Sequence, residues 1–300
     1  MTILVVGATG FVGQAAALRL RERGNQVRGL VRGGNSHPKA KHLQAAAIAI
    51  VEGDLTRPET LAGACNGIET VVCTATSMPA AANDGLRRVD LEGTLALMEA
   101  AERAGVQRFL YTSYSGNLRL DSPLETAKRT CEDRLLKARM QAIILRPSYF
   151  MEMWLSPILG FDAEKGTARI YGSGEAKGSY ISAFDVAEFA AASAVKKIDR
   201  RQTILEMGGP EAVSQLDAVR IFEQALHKKI VVEHIAWEAL QQQHRAATDP
   251  LQKTFAALML GYAQGDVIAG ARETAEQYGV RLRSVTECAT GFRAERAGVA

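Results

Sequence analysis

Ile3-Leu4-Val5-Val6-Gly7-Ala8-Thr9-Gly10-Phe11-Val12-Gly13 is the stretch whose reading decides the fold. Four apolar residues, three of them β-branched, predict a short buried strand. Three glycines at intervals of three follow, and Gln14-Ala15-Ala16-Ala17-Leu18-Arg19-Leu20 continues as a helix. Gly7 takes a sharp turn off the strand without a Cβ penalty. Gly10 lets a ligand's diphosphate approach the backbone, and Gly13 lets helix and strand lie close. The helix N-terminus then offers N–H groups and a partial positive charge to an anion. Glycines between a buried strand and a helix, inside a βαβ pattern, predict a dinucleotide site.

After Gly24, Gln26-Val27-Arg28-Gly29-Leu30-Val31 predicts a second strand, and its end is informative. In NAD-binding proteins an acid about 20 residues past the glycine loop holds the ribose 2′-hydroxyl. Arg32 stands at that place here, Gly33-Gly34-Asn35-Ser36 follows, and the next acid is Glu52. A carboxylate repels a 2′-phosphate, whereas a guanidinium grips it through paired, charge-assisted hydrogen bonds. One such bond contributes about 1.5–3 kcal/mol, or roughly 10- to 100-fold in cofactor preference. The expectation is NADP(H) over NAD(H).

Further along, a helix is expected over residues 40–46 and a strand over 47–51. Thr56-Arg57-Pro58-Glu59 opens another helix with cap-like chemistry. A strand over 69–73, a long helix over about 83–104, a strand over 107–112, a helix over about 124–138 and a strand over 141–145 complete the pattern. Apolar strands alternating with helices mean a parallel sheet covered on both faces. One more sheet strand is expected at 203–207, with helical segments near 216–226 and 237–245 and a strand at 229–233 between them. Thr248-Asp249-Pro250 caps a helix carrying Phe255, Leu258, Met259 and Tyr262 at helical spacing. The tail over 291–300 is expected to be mobile.

Composition narrows the class of function. The 300 residues are 47% hydrophobic and 23% charged, as in a globular protein with a substantial core. A formal net charge of +3 is too small to argue for nucleic acid or an anionic membrane surface. No segment approaches the ~20 uninterrupted apolar residues of a membrane span. No basic leader precedes the first strand, so no signal peptide is expected. Cys65, Cys73, Cys131 and Cys288 contain no CxxC pair, and His37, His42, His227, His234 and His244 show no metal-ligand spacing. A cytoplasmic, reduced, metal-free protein is the expectation.

The motifs Gly7-Ala8-Thr9-Gly10-Phe11-Val12-Gly13, Leu30-Val31-Arg32, Gly53-Asp54-Leu55, Val89-Asp90-Leu91-Glu92-Gly93-Thr94 and Leu145-Arg146-Pro147 resemble the atypical short-chain dehydrogenase/reductase superfamily. Within it the chain resembles the NmrA-like branch, which holds isoflavone, triphenylmethane and quinone reductases and catalytically silent NADP-sensing regulators. The resemblance persists through Tyr180-Ile181-Ser182-Ala183-Phe184-Asp185-Val186-Ala187 and is general only beyond about residue 210. It implies an α/β, Rossmann-type doubly wound parallel sheet with a smaller C-terminal substrate-binding region. The NAD(P)-binding core would cover 1–150 and the substrate region mainly 151–300, with about 180–207 returning to the core. It further implies that Thr9, Gly10, Phe11 and Val12, between Gly7 and Gly13, embrace the diphosphate and Arg32 the 2′-phosphate. Asp54 and Leu55 would border the adenine, and Thr74, Ala75 and Thr76 the ribose passage. Pro147, Ser148, Tyr149 and Phe150 would border the nicotinamide.

The chain departs from the wider superfamily at its catalytic pair. That pair is Tyr-x-x-x-Lys, but the residue four before Lys128 is Leu124. Lys128 is the first catalytic candidate, set to hold the nicotinamide ribose and to place positive charge where an anion develops. The bland alternative is a surface ion pair with Glu132 four residues on. Ser113, Tyr111, Tyr114 and Tyr149 follow or end strands, and a phenol there could give a proton to a reduced carbonyl. A buried tyrosine is more often a core residue with one satisfied hydroxyl. Tyr149-Phe150-Met151-Glu152-Met153-Trp154-Leu155, with Phe161, Tyr171 and Tyr180, forms either an apolar substrate pocket or a core. The reading is an NADPH-dependent reductase of a small apolar, aromatic or quinone-like acceptor. Its rival is a non-catalytic NADP(H)-binding redox sensor acting through a protein partner, and a scaffold-like assembly factor is a third. A homodimer stays open.

Overall fold

The computed structural model describes residues 1–78 and 84–297, with side chains through Gly291. Its strands are, in chain order, β1 (Thr2–Val6), β2 (Gln26–Val31), β3 (Ala49–Glu52), β4 (Thr70–Cys73), β5 (Arg108–Thr112), β6 (Gln141–Pro147), β7 (Phe161–Asp162), β8 (Thr167–Tyr171), β9 (Lys177–Gly178), β10 (Gln202–Met207), β11 (Val213–Ser214) and β12 (Val231–Ile235). The helices are α1 (Phe11–Glu22), α2 (Ala40–Ala45), α3 (Leu61–Cys65), α4 (Thr94–Arg103), α5 (Pro123–Leu136), α6 (Met151–Trp154), α7 (Ala183–Val195), α8 (Gln215–Leu226), α9 (Trp237–Ala246), α10 (Pro250–Gln264), α11 (Ala271–Tyr278) and α12 (Val285–Ala297).

Residues 1–114, 123–146 and 186–205 form one compact unit. It is built on a seven-stranded sheet in the order β10-β6-β5-β4-β1-β2-β3. β1 pairs in parallel with both β2 and β4, so the chain leaves the centre first one way and then the other. This is the doubly wound parallel sheet read from the sequence. Ile3, Leu4, Val5 and Val6 are all buried, because a central parallel strand is covered on both faces. Leu97, Met98 and Ala101 of α4 and Cys131 and Leu135 of α5 pack with Phe109, Tyr111 and Ile144 of the sheet into one apolar core.

Several local expectations are corrected. The third strand starts at Ala49, not at 47, because Ala47 adopts the left-handed φ of 56° that ends α2. Thr56 caps no helix. Its N–H and hydroxyl both donate to Asp54 Oδ1, closing a side-chain turn ahead of the short turn Pro58–Thr60. The long helix has its start, Asn83, outside the described residues, and its described part is not uniform. Leu86–Gly93 is a π-helical stretch that narrows into α4. The Thr94 hydroxyl donates to the Val89 carbonyl five residues back. Gly93 is needed there, since a Cβ would lie 2.4 Å from the Leu55 carbonyl oxygen.

Residues 115–122, 147–185 and 206–300 form the second unit. β12 pairs in parallel with β8, β7 runs antiparallel to β8, and β11 pairs with β9. The strand expected at 229–233 lies two residues later, at β12. Ser214 and Asp217 cap α8 reciprocally, and Asp249 caps α10 by accepting from the N–H groups of Leu251 and Gln252. The aromatic stretch is core here. Tyr149, Trp154 and Tyr262 pack edge-to-face or tilted with centroids 4.1–4.9 Å apart, and the Tyr180 and Tyr262 hydroxyls share a hydrogen bond. The tail read as mobile is helical as far as Ala297, in α12, and its last three residues lie outside the described part. Arg283, just ahead of α12, pairs with the buried carboxylate of Asp185. Among the described residues no helix is long and apolar enough to cross a membrane.

Candidate functional site

The glycine stretch folds for the reasons its spacing predicts. Gly7 takes a φ of 90°, and a Cβ on it would meet Thr74 Oγ1 at 2.8 Å and Ala75 N at 2.9 Å. A Cβ on Gly13 would lie 2.2 Å from the Gly7 carbonyl oxygen, so only glycine lets α1 lie this close to the turn. Gly10 is exposed at the N-cap of α1, brings no side-chain cap, and no acidic residue follows in the first turn. First-turn N–H groups have no partner within a helix, so this end is chemically suited to an anion. Thr74 donates to the Val6 carbonyl from both its N–H (2.9 Å) and its hydroxyl (3.2 Å). That bond sets residues 74–76 beside the glycine turn, where the strand order reverses between β1 and β4. Open parallel sheets bind ligands at this switch point.

Arg32 is exposed directly after β2, in a turn closed by Gly33 and Gly34 at φ 70° and 53°. The same loop carries a cation that sequence reasoning missed. Lys39 Nζ donates to the Thr9 carbonyl at 2.8 Å, reaching from the turn back onto the glycine stretch. No spacing rule flags a lysine seven residues after the expected arginine. Glu52, at the end of β3, lies against Gly34, where a Cβ would stand 3.0 Å from its Oε2. Two cations and one carboxylate leave this edge net positive. Leu55 is buried beneath Gly93, and Asp54 turns Oδ1 onto its own loop.

Lys128 is buried, not a surface lysine, and its partner is not Glu132. Its Nζ lies 3.6 Å from Asp90 Oδ1, donates to the Thr112 carbonyl at 3.3 Å and stands 5.1 Å from the Tyr111 ring centroid. Glu132, also buried, instead holds Arg146 through two bonds and Arg129 at 2.8 Å. Burial pushes the Glu132 carboxyl up, but bonds from Arg146 and Ser113 and the two guanidinium charges outweigh it, so it sits below its ordinary value.

The tyrosines separate by position. Tyr111 is wholly buried, and burial drives its phenol well above the usual range. Tyr149 is buried in the second unit, its hydroxyl donates to the Gly261 carbonyl at 2.9 Å, and its phenol is likewise pushed well up by burial. Its hydroxyl is committed to the core, so the structure gives it no proton-donor geometry. Ser148 is buried beside it with its hydroxyl on the Asp266 carbonyl at 3.3 Å, Pro147 ends β6, and Phe150 bridges to Ile181. Tyr114 is half-buried at the exit of β5, with the Arg129 guanidinium 4.3 Å from its ring centroid.

A family model described as NAD(P)H-binding matches residues 7–197. The chain belongs to this NAD(P)H-binding, NmrA-like family. It is similar to the photosystem II assembly factor Ycf39 of Trieres chinensis, 30% identical over 241 residues, covering 78% of this chain and 72% of that one. It is 28% identical over 242 residues to the NAD(P)H azoreductase of Xenophilus azovorans, covering 80% and 79% of the two. In fold it matches the NADPH-dependent quinone oxidoreductase QOR2 of Escherichia coli complexed with NADPH, at a TM-score of 0.80 and 19% identity over 97% of this chain and 99% of that one. The fold is thus the one that this NADPH complex shows, and the family is NAD(P)H-binding. In this NmrA-like chain, Gly7, Gly10, Gly13, Thr74 and Lys39 meet around the glycine turn, while Lys128 lies at the β5 exit with its Nζ 3.6 Å from Asp90 Oδ1. Asp90 stands in the family motif, yet nothing local to it in the sequence shows what it faces.

Proposed function

We propose that the chain is an NADPH-dependent reductase of a small apolar acceptor, aromatic or quinone-like. The observation that carries the reading is the grouping of the glycine turn, the uncapped start of α1 and the Lys39 ammonium on the Thr9 carbonyl, on the loop that also bears Arg32. A Cβ on Gly7 or Gly13 would clash with Thr74 or the Gly7 carbonyl, so strand, turn and helix close up here, and Gly10 lies exposed at the uncapped start of α1; the residues present fit a dinucleotide. When bound, that dinucleotide supplies a hydride. The α1 N–H groups would hold the diphosphate, Arg32 and Lys39 the 2′-phosphate, and Thr74, Ala75 and Thr76 would border the ribose. Lys128 would hold the nicotinamide ribose and offset negative charge on the acceptor. Tyr114 is the phenol left to return a proton, and a quinone or azo acceptor can take its proton from water. Azo and quinone reductases among the similar proteins support that acceptor class.

NADPH oxidation followed by absorbance with a panel of quinones, azo dyes, enones and aldehydes tests the reading. Turnover is expected with at least one quinone or azo acceptor. Lys128→Ala should cut it about 100-fold, while NADPH stays bound at roughly tenfold weaker affinity, the loss of one charge-assisted bond. The cofactor assignment has its own check in fluorescence titration. Arg32→Ala is expected to weaken NADPH roughly 10- to 100-fold and NADH less than about threefold. Equal losses for both cofactors would remove the 2′-phosphate reading.

A second reading is an NADP(H)-binding sensor that works through a protein partner. It is favoured by Leu124 in place of the phenol, by the committed Tyr149 hydroxyl and by the similarity to an assembly factor. Tight NADPH binding with no turnover on any acceptor would select it.

A further inference from the structure

Asp90 is a buried carboxylate that the proposed reaction leaves without a task. It is 0% exposed, inside the π-helical stretch Leu86–Gly93. Wide helical turns of this kind recur at functional sites, which is reason to ask what this one presents. Oδ2 accepts from the Ser77 N–H at 2.9 Å and from its hydroxyl at 2.5 Å. Among the described residues Oδ1 receives no hydrogen bond, and it faces Lys128 Nζ at 3.6 Å. The Asp90 carbonyl accepts from Cys131 Sγ at 3.4 Å, three residues along α5 from Lys128.

A lone ammonium or carboxylate at this depth is strongly disfavoured, so each is tolerated because the other is there. A lysine head on a flexible four-carbon stem has no preferred place of its own. Here three groups fix it: the Asp90 carboxylate, the Thr112 carbonyl and the Tyr111 ring. Asp90 is the only one of the three that carries a charge. Through Ser77 it also grips the segment that carries Thr74, Ala75 and Thr76 out of β4.

We propose that Asp90 is a positioning residue for Lys128, tying the ammonium's place at the β5 exit to the chain leaving β4. This rests on Lys128 being a cofactor-facing group. Asn at position 90 keeps an oxygen for Ser77 and removes the charge that faces Lys128, so Asp90→Asn isolates the electrostatic link.

The test is a double-mutant cycle on the full chain: wild type, Asp90→Asn, Lys128→Met and both together. Two quantities are read, the NADPH dissociation constant by fluorescence and the turnover number with a para-quinone. Asp90→Asn is expected to worsen each about tenfold when Lys128 is present, and less than twofold in the Lys128→Met background. An equal loss in both backgrounds, or none in either, overturns the proposal and leaves Lys128 in its role. If Lys128→Met alone changes neither quantity, the cofactor-facing reading of Lys128 fails, and the Asp90 proposal falls with it. Should Asp90→Asn not fold, Asp90→Ser still offers Ser77 an oxygen and carries the same cycle.

Discussion

Gly10→Val is expected to leave the fold intact and to weaken NADPH binding about 100-fold or more. The two halves of that result have separate causes. Gly10 has an ordinary extended φ of −80°, and its nearest obstacle to a Cβ is the Gly7 carbonyl oxygen at 3.2 Å, a contact that a shift of a few tenths of an ångström relieves. Backbone strain is therefore small. The residue is also exposed at the mouth of α1, where a diphosphate must approach the backbone to reach the first-turn N–H groups. An isopropyl group there keeps the phosphate away from two or three charge-assisted bonds, each contributing about 1.5–3 kcal/mol. Gly13 makes the control. A Cβ on Gly13 would lie 2.2 Å from Gly7 O and 2.5 Å from Thr74 Oγ1, so Gly13→Ala should lose stability and binding together. Fluorescence titration paired with thermal unfolding reads both. NADPH affinity unchanged in Gly10→Val would place the dinucleotide elsewhere.

Glu132→Ala is expected to cost about 3–5 kcal/mol of stability, the range for removing one partner of a buried ion pair. Glu132 is 2% exposed and pairs with both Arg129 and Arg146, so its loss takes the shared carboxylate from two half-buried guanidinium groups. In a chain of this size that is a drop in Tm on the order of 10 °C. The pH dependence carries a definite sign. Because the folded-state carboxyl titrates below its ordinary value, its stabilisation is fully present above the unfolded value of ~4.3 and is lost as pH falls through the lower folded value. Wild-type Tm measured from pH 7 downward should therefore fall in the acid limb. Glu132→Gln should start lower at pH 7 and lose less on acidification. Parallel curves would show that Glu132 is not the linked group.

These two expectations differ in how far the sequence alone could reach them. The glycine turn was legible because its constraint is local. A φ of 90° at Gly7 and the closeness of Gly13 to the turn follow from a strand, three spaced glycines and a helix within eleven residues. The parallel sheet was legible for a similar reason, since continuous apolar strands require cover on both faces. Lys128 was legible as a residue but not as an environment. Its spacing to Glu132 matched a surface pair, yet α5 turns Lys128 toward Asp90 and Glu132 toward Arg146. Thr56 shows the same limit at short range, for cap chemistry and a side-chain turn on Asp54 call on the same residue types. Tyr149 shows it at long range, because its hydroxyl partner lies on α10.

The sequence by itself determined the strand–glycine–helix turn, the doubly wound sheet and the basic residue after β2, because each follows from backbone geometry or charge within a few neighbouring positions. Only the tertiary structure decided who answers each charge: Asp90 for Lys128, two arginines for Glu132, Lys39 for the rim of the glycine turn. The physical reason is that a buried charge takes its partner from whichever element packs against it, and that element stands at no fixed distance along the chain.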